Sequence, residues 1–176
     1  MGILNYLPTF KVVEPNRLTA PIAGHILSQY KADATITLKT VNGVNFLENG
    51  LIVGLNKDLT IGNFDATEHA QPFLVFVEEI NTFMPGLKYY ATEEDADGEI
   101  YPRALGLFVG DTFTTDHFVG TGTGGAYNDE AFAKVVNGVL TLQAVADVDT
   151  LFAVEESTLP LGDPAVRVTY IGAPAV

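Results

Sequence analysis

Cysteine is absent from this 176-residue chain. Disulfide frameworks, zinc–thiolate sites and thiol nucleophiles are excluded with it, while the redox compartment stays open, since a cysteine-free chain serves in any. Serine is nearly absent. Ser28 and Ser157 are the only two, and neither stands in a Gly-x-Ser-x-Gly elbow or another nucleophile context. Long apolar runs are missing as well. The longest, Phe73 to Val77, is far short of the roughly 20 residues a membrane-spanning helix needs. Met1 to Phe10 lack the basic start and long apolar stretch of a signal peptide, so no secretory leader is expected. Tyr6 stands where a myristoylation signal wants Ser or Thr.

Basic residues are scarce. Nine Lys and Arg face 22 Asp and Glu, for a formal net charge of −13 and a pI near 4.3. Phosphate binding is driven by clustered Lys and Arg, so neither nucleic acid nor an anionic membrane surface is the expected partner. The imbalance is uneven: residues 1–60 hold five basic and four acidic residues, residues 61–176 four basic and 18 acidic. The front end is the part suited to an acidic surface, while the remainder repels its neighbours.

What is present is material for a core. Some 47% of the chain is apolar, with 11 Phe and 7 Tyr, which separates it from a disordered acidic tail. In residues 1–32, Pro8, Pro15 and Pro21 recur at nearly even spacing. Each removes a backbone donor and biases its predecessor toward extended structure. Before and between them stand Ile3, Leu4, Tyr6, Leu7, Phe10, Val12, Arg17 and Leu18. This pattern reads as an extended arm laying side chains on a surface, either its own domain's or a neighbouring subunit's, with one helical turn over Ile22 to Tyr30.

From residue 33 the period is two. Thr35–Val41 alternates and is rich in β-branched residues. Asn42-Gly43 and Asn49-Gly50 follow, and Asn-Gly is the strongest short hairpin signal. Further strands are expected at 51–55, 73–79, 87–91, 104–109, 112–118, 135–136, 139–145, 150–154 and 165–171. A helical turn is expected over Asn128 to Lys134, capped by Asn128 or Asp129 with Glu130 near its start. The fold class is all-β, an antiparallel sandwich or barrel, with an extended N-terminal arm and little helix. Residues 1–32 form the arm, 33–119 a first β unit and 126–176 a second packed with it. The glycine run Gly120 to Gly125 reads as a flexible connector between them. Asn49–Leu55 echoes Asn137–Leu142, and Phe73–Glu79 echoes Leu151–Glu156. These are either copies of one β unit or two similar hairpins.

Candidate chemistry is thin. His25, His69 and His117 lie in separate segments without metal-ligand spacing. Asp95-Ala96-Asp97-Gly98-Glu99 places its glycine too early for an EF-hand loop, so a solvated acidic turn is expected. The glycine run lacks the lysine of a phosphate loop. Glu78-Glu79, Glu93-Glu94 and Glu155-Glu156 point to opposite faces if extended and form no glycosidase dyad. No catalytic residue, cofactor or metal ligand is assigned.

Residues 104–171 carry a resemblance. The pattern is Val109-Gly110-Asp111-Thr112-Phe113-Thr114-Thr115, then Val136-Asn137-Gly138-Val139-Leu140, then Leu151–Glu156, closing in Thr158-Leu159-Pro160-Leu161-Gly162-Asp163-Pro164-Ala165-Val166-Arg167-Val168. It resembles the β domains of tailed-bacteriophage capsid decoration (cement) and head-fibre proteins. The resemblance implies a virion protein on the capsid exterior, homo-oligomeric as in the trimers such proteins form, with the major capsid protein as partner. The arm residues Ile3, Leu4, Tyr6, Leu7, Phe10, Val12, Arg17 and Leu18 would clamp neighbouring coat subunits. The competing reading is a receptor- or carbohydrate-binding module of a tail or fibre, with Tyr89-Tyr90 or Tyr101 stacking on sugars. A hydrolase is disfavoured by the missing motifs.

Overall fold

The computed structural model describes residues 11–19, 25–77, 79–80, 88–89, 91–159 and 162–172. The chain is all-β. Its strands are β1 Val13–Arg17, β2 Ile26–Leu27, β3 Lys39–Val41, β4 Val44–Glu48, β5 Ile52–Leu55, β6 Ile61–Asn63, β7 Phe73–Val75, β8 Glu79–Ile80 and β9 Lys88–Tyr89. They continue with β10 Ala91–Glu93, β11 Ala104–Gly106, β12 Thr112–Thr115, β13 Phe118–Val119, β14 Phe132–Val136, β15 Val139–Gln143, β16 Phe152–Thr158 and β17 Pro164–Tyr170. Among the described residues the one helical piece is a 3₁₀ turn at Thr123–Gly125.

The largest sheet has the order β1-β12-β17-β16-β14-β15-β13. Only Asp116 and His117 separate β12 from β13, and three Cα steps reach at most about 11 Å. In a flat sheet, the five strand spacings between β12 and β13 would set them about 24 Å apart. The sheet therefore curls into a barrel, and Thr112–Val119 is one bent stave that pairs with β17 through its first half and with β15 through its second. Register puts one apolar set on the inner face. Phe113 opposes Val168, Val168 opposes Val154, Ala133 opposes both Phe152 and Leu142. All six are buried in one core. Burying each large apolar side chain contributes roughly 1.5–3 kcal/mol. The alternate positions Thr141, Glu155 and Arg167 lie half-buried or exposed.

A second sheet, β2-β11-β7-β5-β6, packs on this barrel and is covered on both faces. Ile52 and Leu74 enter the barrel core, while Val53, Phe73 and Val75 enter a second core with Ile36, Leu47 and Ile100. Two-sided burial explains why β5 and β7 read as near-continuous apolar runs rather than alternating ones. The three-stranded sheet β10-β4-β3 adds Leu47 to that second core.

Several expectations change. Asn42-Gly43 and Asn137-Gly138 are hairpin turns with positive φ at both residues, 52° and 85°, then 50° and 78°. Asn49-Gly50 is no hairpin. It is a corner where the chain leaves the three-stranded sheet and enters the five-stranded one, and of the two only Gly50 has positive φ. Ile26–Leu27 is a strand on β11, not a helical turn. Asn128–Lys134 holds no helix either: Asp129 has φ 58° and β14 begins at Phe132. The glycine run is a closed loop, with Gly120 N–H donating to Gly125 O at 2.7 Å and Gly122 N–H to Ala126 O at 2.9 Å. It lies within the first sheet's span, because β12 and β13 precede it and β14 to β17 follow. The boundary at residue 32 likewise runs through the folded body, since Val13 and Ala32 are core residues.

Gly43 and Gly50 share a φ near +85° but differ in surroundings. A Cβ on Gly43 meets open space, whereas one on Gly50 lies 2.7 Å from His117 Cβ and 2.8 Å from Thr115 Oγ1. Gly43→Ala is expected to cost about 1–2 kcal/mol in urea unfolding, the left-handed penalty alone. Gly50→Ala is expected to cost clearly more than that, and equal losses would show that the corner is not tightly packed.

Candidate functional site

The residues assigned to the arm divide at position 10. Ile3, Leu4, Tyr6, Leu7 and Phe10 lie outside the described residues. Val12, Arg17 and Leu18 belong to a strap, residues 11–19, whose β1 is the edge strand of the barrel. Pro15 lies within it, beside an irregularity in register between Pro15 and Arg17. A proline without an N–H suits an edge position and blunts further pairing.

Two carboxylates that bracket β12 fasten this strap. At one end Asp111, 1% exposed, accepts from Thr19 N–H at 3.0 Å and Thr19 Oγ1 at 2.5 Å, while its other oxygen takes Phe108 N–H at 3.0 Å. At the other end Asp116 Oδ1 accepts from Val12 N–H at 2.7 Å. Lys11 then bridges sheets: its N–H donates to Glu48 Oε1 at 3.0 Å and its Nζ to Asp116 O at 3.0 Å. Val12 is half-buried and its carbonyl accepts from Thr115 Oγ1 at 2.9 Å. Leu18 packs on the barrel core, and Arg17 is exposed. Asp111 sits in the Gly-Asp-x-Phe stretch that carries the resemblance. In this structure Gly110 makes the turn, Asp111 holds the strap and Phe113 fills the barrel.

Two of the three histidines, His69 and His117, are buried and hydrogen-bonded within the fold. His117, 8% exposed, lies 2.6 Å through Nδ1 from Asn49 O. A carbonyl only accepts, so Nδ1 carries the hydrogen. Burial depresses its pKa, against the opposing pull of the Asn49 carbonyl and Glu48. His69 is fixed in the opposite tautomer: Asp65 N–H donates to Nδ1 at 2.9 Å, leaving Nε2–H to donate to Asn56 Oδ1 at 2.9 Å. Asn56 Nδ2 in turn donates to Asp33 Oδ2 at 2.7 Å. His25 is exposed, edge-on to Phe108.

The acidic residues are largely spoken for. Asp95 Oδ1 accepts the N–H groups of Asp97 and Glu99, both at 2.9 Å, closing an Asx turn. Glu99 binds Lys31 Nζ and Tyr101 OH, each at 2.6 Å, and the Lys31 contact chiefly holds its carboxyl below the ordinary value. Glu130, expected near a helix start, is 1% exposed and accepts the N–H groups of Thr121 and Asn128. Burial opposes its ionisation, but these bonds outweigh it and its pKa is lowered. It thereby pins the ends of the glycine loop. Among the described residues no three His, Cys, Asp or Glu gather as a metal cluster. The anchoring roles of Asp111, Asp116 and Asn49 have no sequence signal, because their partners lie far along the chain and a lone Asp or Asn carries no spacing pattern.

Two measurements check this account. Asp111→Asn puts an amide donor among three donors. It is expected to cost about 2–3 kcal/mol and to speed hydrogen exchange of the β1 amides; unchanged exchange would show that the strap is held otherwise. Because the folded state keeps His117 neutral, the unfolded chain takes up its proton first as pH falls below 6.5. Stability is therefore expected to decline from about pH 7 to 5, before the carboxylates of ordinary pKa 3.8 to 4.5 contribute. His117→Gln should be less stable at about pH 7.5 and lose less over that interval. An equal loss in the variant would assign the decline elsewhere.

Comparison with protein-family models, curated proteins and solved structures finds no match to this chain.

Proposed function

We propose that this protein is a structural component of a tailed-phage capsid exterior, a homo-oligomer that clamps neighbouring coat subunits through its N-terminal segment and one β face. The observation that carries the reading is how the strap is built. Residues 11–19 are fastened at both ends by Asp111 and Asp116. They are preceded by ten residues of which Met1, Ile3, Leu4, Tyr6, Leu7 and Phe10 are apolar. A clamp needs an apolar segment anchored firmly where it leaves a rigid body. Chain segments that order on a partner can wrap a large surface, and many copies on one shell multiply weak contacts. An acid-rich body limits self-association in the meantime. Val12 and Leu18 serve the protein's own barrel, so Ile3, Leu4, Tyr6, Leu7 and Phe10, with the exposed Arg17, carry the partner contact.

A second reading, a carbohydrate-binding module, rests on Tyr101. The residue is 44% exposed while its hydroxyl is held on Glu99, which offers a stacking face beside a carboxylate. Glycan-array binding lost in Tyr101→Ala would move the protein to that class.

Deleting residues 1–10 is expected to leave thermal stability unchanged and to abolish cofractionation with particles. Deletion through residue 18 should also lower Tm, because it removes β1 and Val13 from the barrel. Full attachment of the shorter deletion would sink the clamp reading.

A further inference from the structure

A cleft of about 630 Å³ opens between the loop of residues 64–68 and β14. Phe64, Val136 and Leu151 give it apolar lining, and Asp65, Glu68 and Asp149 are the acidic residues of that lining. Lys134 is the one cation in the lining, and its Nζ lies 3.0 Å from Asp147 Oδ2, so its charge is already matched. Asp65 Oδ1 takes the hydroxyl and N–H of Thr67 at 2.7 and 2.8 Å. Glu68 and Asp149 are exposed, and their carboxylates take no hydrogen bond or ion pair among the described residues.

The cleft is framed rigidly. Ile52 N–H donates to Gly138 O at 2.7 Å and Thr37 Oγ1 to Asn137 O at 2.8 Å, so the turn that follows β14 is tied to β5 and to the segment before β3. Its volume falls in the range of about 300–1,000 Å³ typical of binding pockets. Its acids share the cleft without gathering around a single ion. A ligand that answers them is extended, carries more than one positive charge, and has apolar stems for the walls between. Lys and Arg side chains have that build, a methylene stem ending in a cation.

We propose that this cleft binds an extended basic segment of a partner protein, seating Lys or Arg side chains against Glu68 and Asp149 with their stems along Phe64 and Val136. Naming the coat subunit as that partner rests on the clamp reading; the chemistry of the cleft does not.

The probe is a fluorescein-labelled peptide, Gly-Lys-Val-Lys-Val-Arg-Gly, titrated with the full chain at low salt and read by anisotropy. Binding is expected, with Glu68→Gln/Asp149→Asn weakening it at least about fivefold. Glu93→Gln/Asp97→Asn removes the same charge from other exposed positions and should leave binding unchanged. A peptide with glutamine at every basic position should not bind. Equal weakening by both double variants, binding of the glutamine peptide, or no binding of the basic peptide would overturn the proposal. The particle experiment with residues 1–10 deleted speaks to the coat subunit alone, so the two readings fail separately.

Discussion

The carbonyl of Asn49 sits where three sheets meet. At the end of β4 the chain has to leave one sheet and enter another, and a buried carbonyl at such a corner has no ladder partner. Leaving it unpaired would cost about 1–3 kcal/mol. His117, at the bend of the barrel stave, supplies the donor at 2.6 Å. The side chain of Asn49 replaces the missing strand neighbour, donating to Val77 O at 2.7 Å and accepting Val77 N–H at 2.8 Å. Gly50 then lets the backbone turn against the His117 side chain. The joint requires a hydrogen on Nδ1, and the burial of His117 that comes with it disfavours the charged ring, so the site that locks the three sheets also ties their stability to proton concentration.

Barrel closure follows from the same bend. Because the stave turns at Asp116 and His117, its second half reaches β15 and its first half stays on β17. Thr115 then faces the strap and accepts His117 N–H while donating to Val12 O. Asp111 and Asp116 lie at the two ends of β12, where they meet the two ends of β1. The barrel thus fixes residues 11–19, and it holds β14 against the 64–68 loop at the acid-lined cleft. The strap and β14 belong to the barrel, while Glu68 and Asp149 lie on turns beside it.

Much of the architecture was legible because period-two alternation reports local burial. The barrel strands β15 to β17 are legible within a few residues from Val, Leu and Phe spaced two apart, and the hairpin at Asn42-Gly43 from its turn signal. Of β14 only Val135 and Val136 were anticipated, because Asn128 to Lys134 reads as a capped helical turn. What escaped was whatever depends on distant partners. Val13–Arg17 contains a proline and two charged residues, and it is a strand only because β12 lies beside it and two carboxylates hold its ends. Asn49-Gly50 carries the same dipeptide as two true hairpins, but here Val77 pairs with the Asn49 side chain and His117 with its carbonyl, which holds a corner. Glu130 looked like a helix-start residue, because a buried carboxylate that pins a glycine loop has no sequence signature. The cleft was invisible for the same reason, since its walls come from segments far apart along the chain.

The central claim is that the chain is a shell component that grips coat subunits. Quantitative peptide mass spectrometry on purified particles from the source tests it most directly. The account predicts a copy number comparable with that of the major coat subunit. A few copies per particle would place the protein on a tail or fibre, and complete absence would contradict the capsid assignment outright.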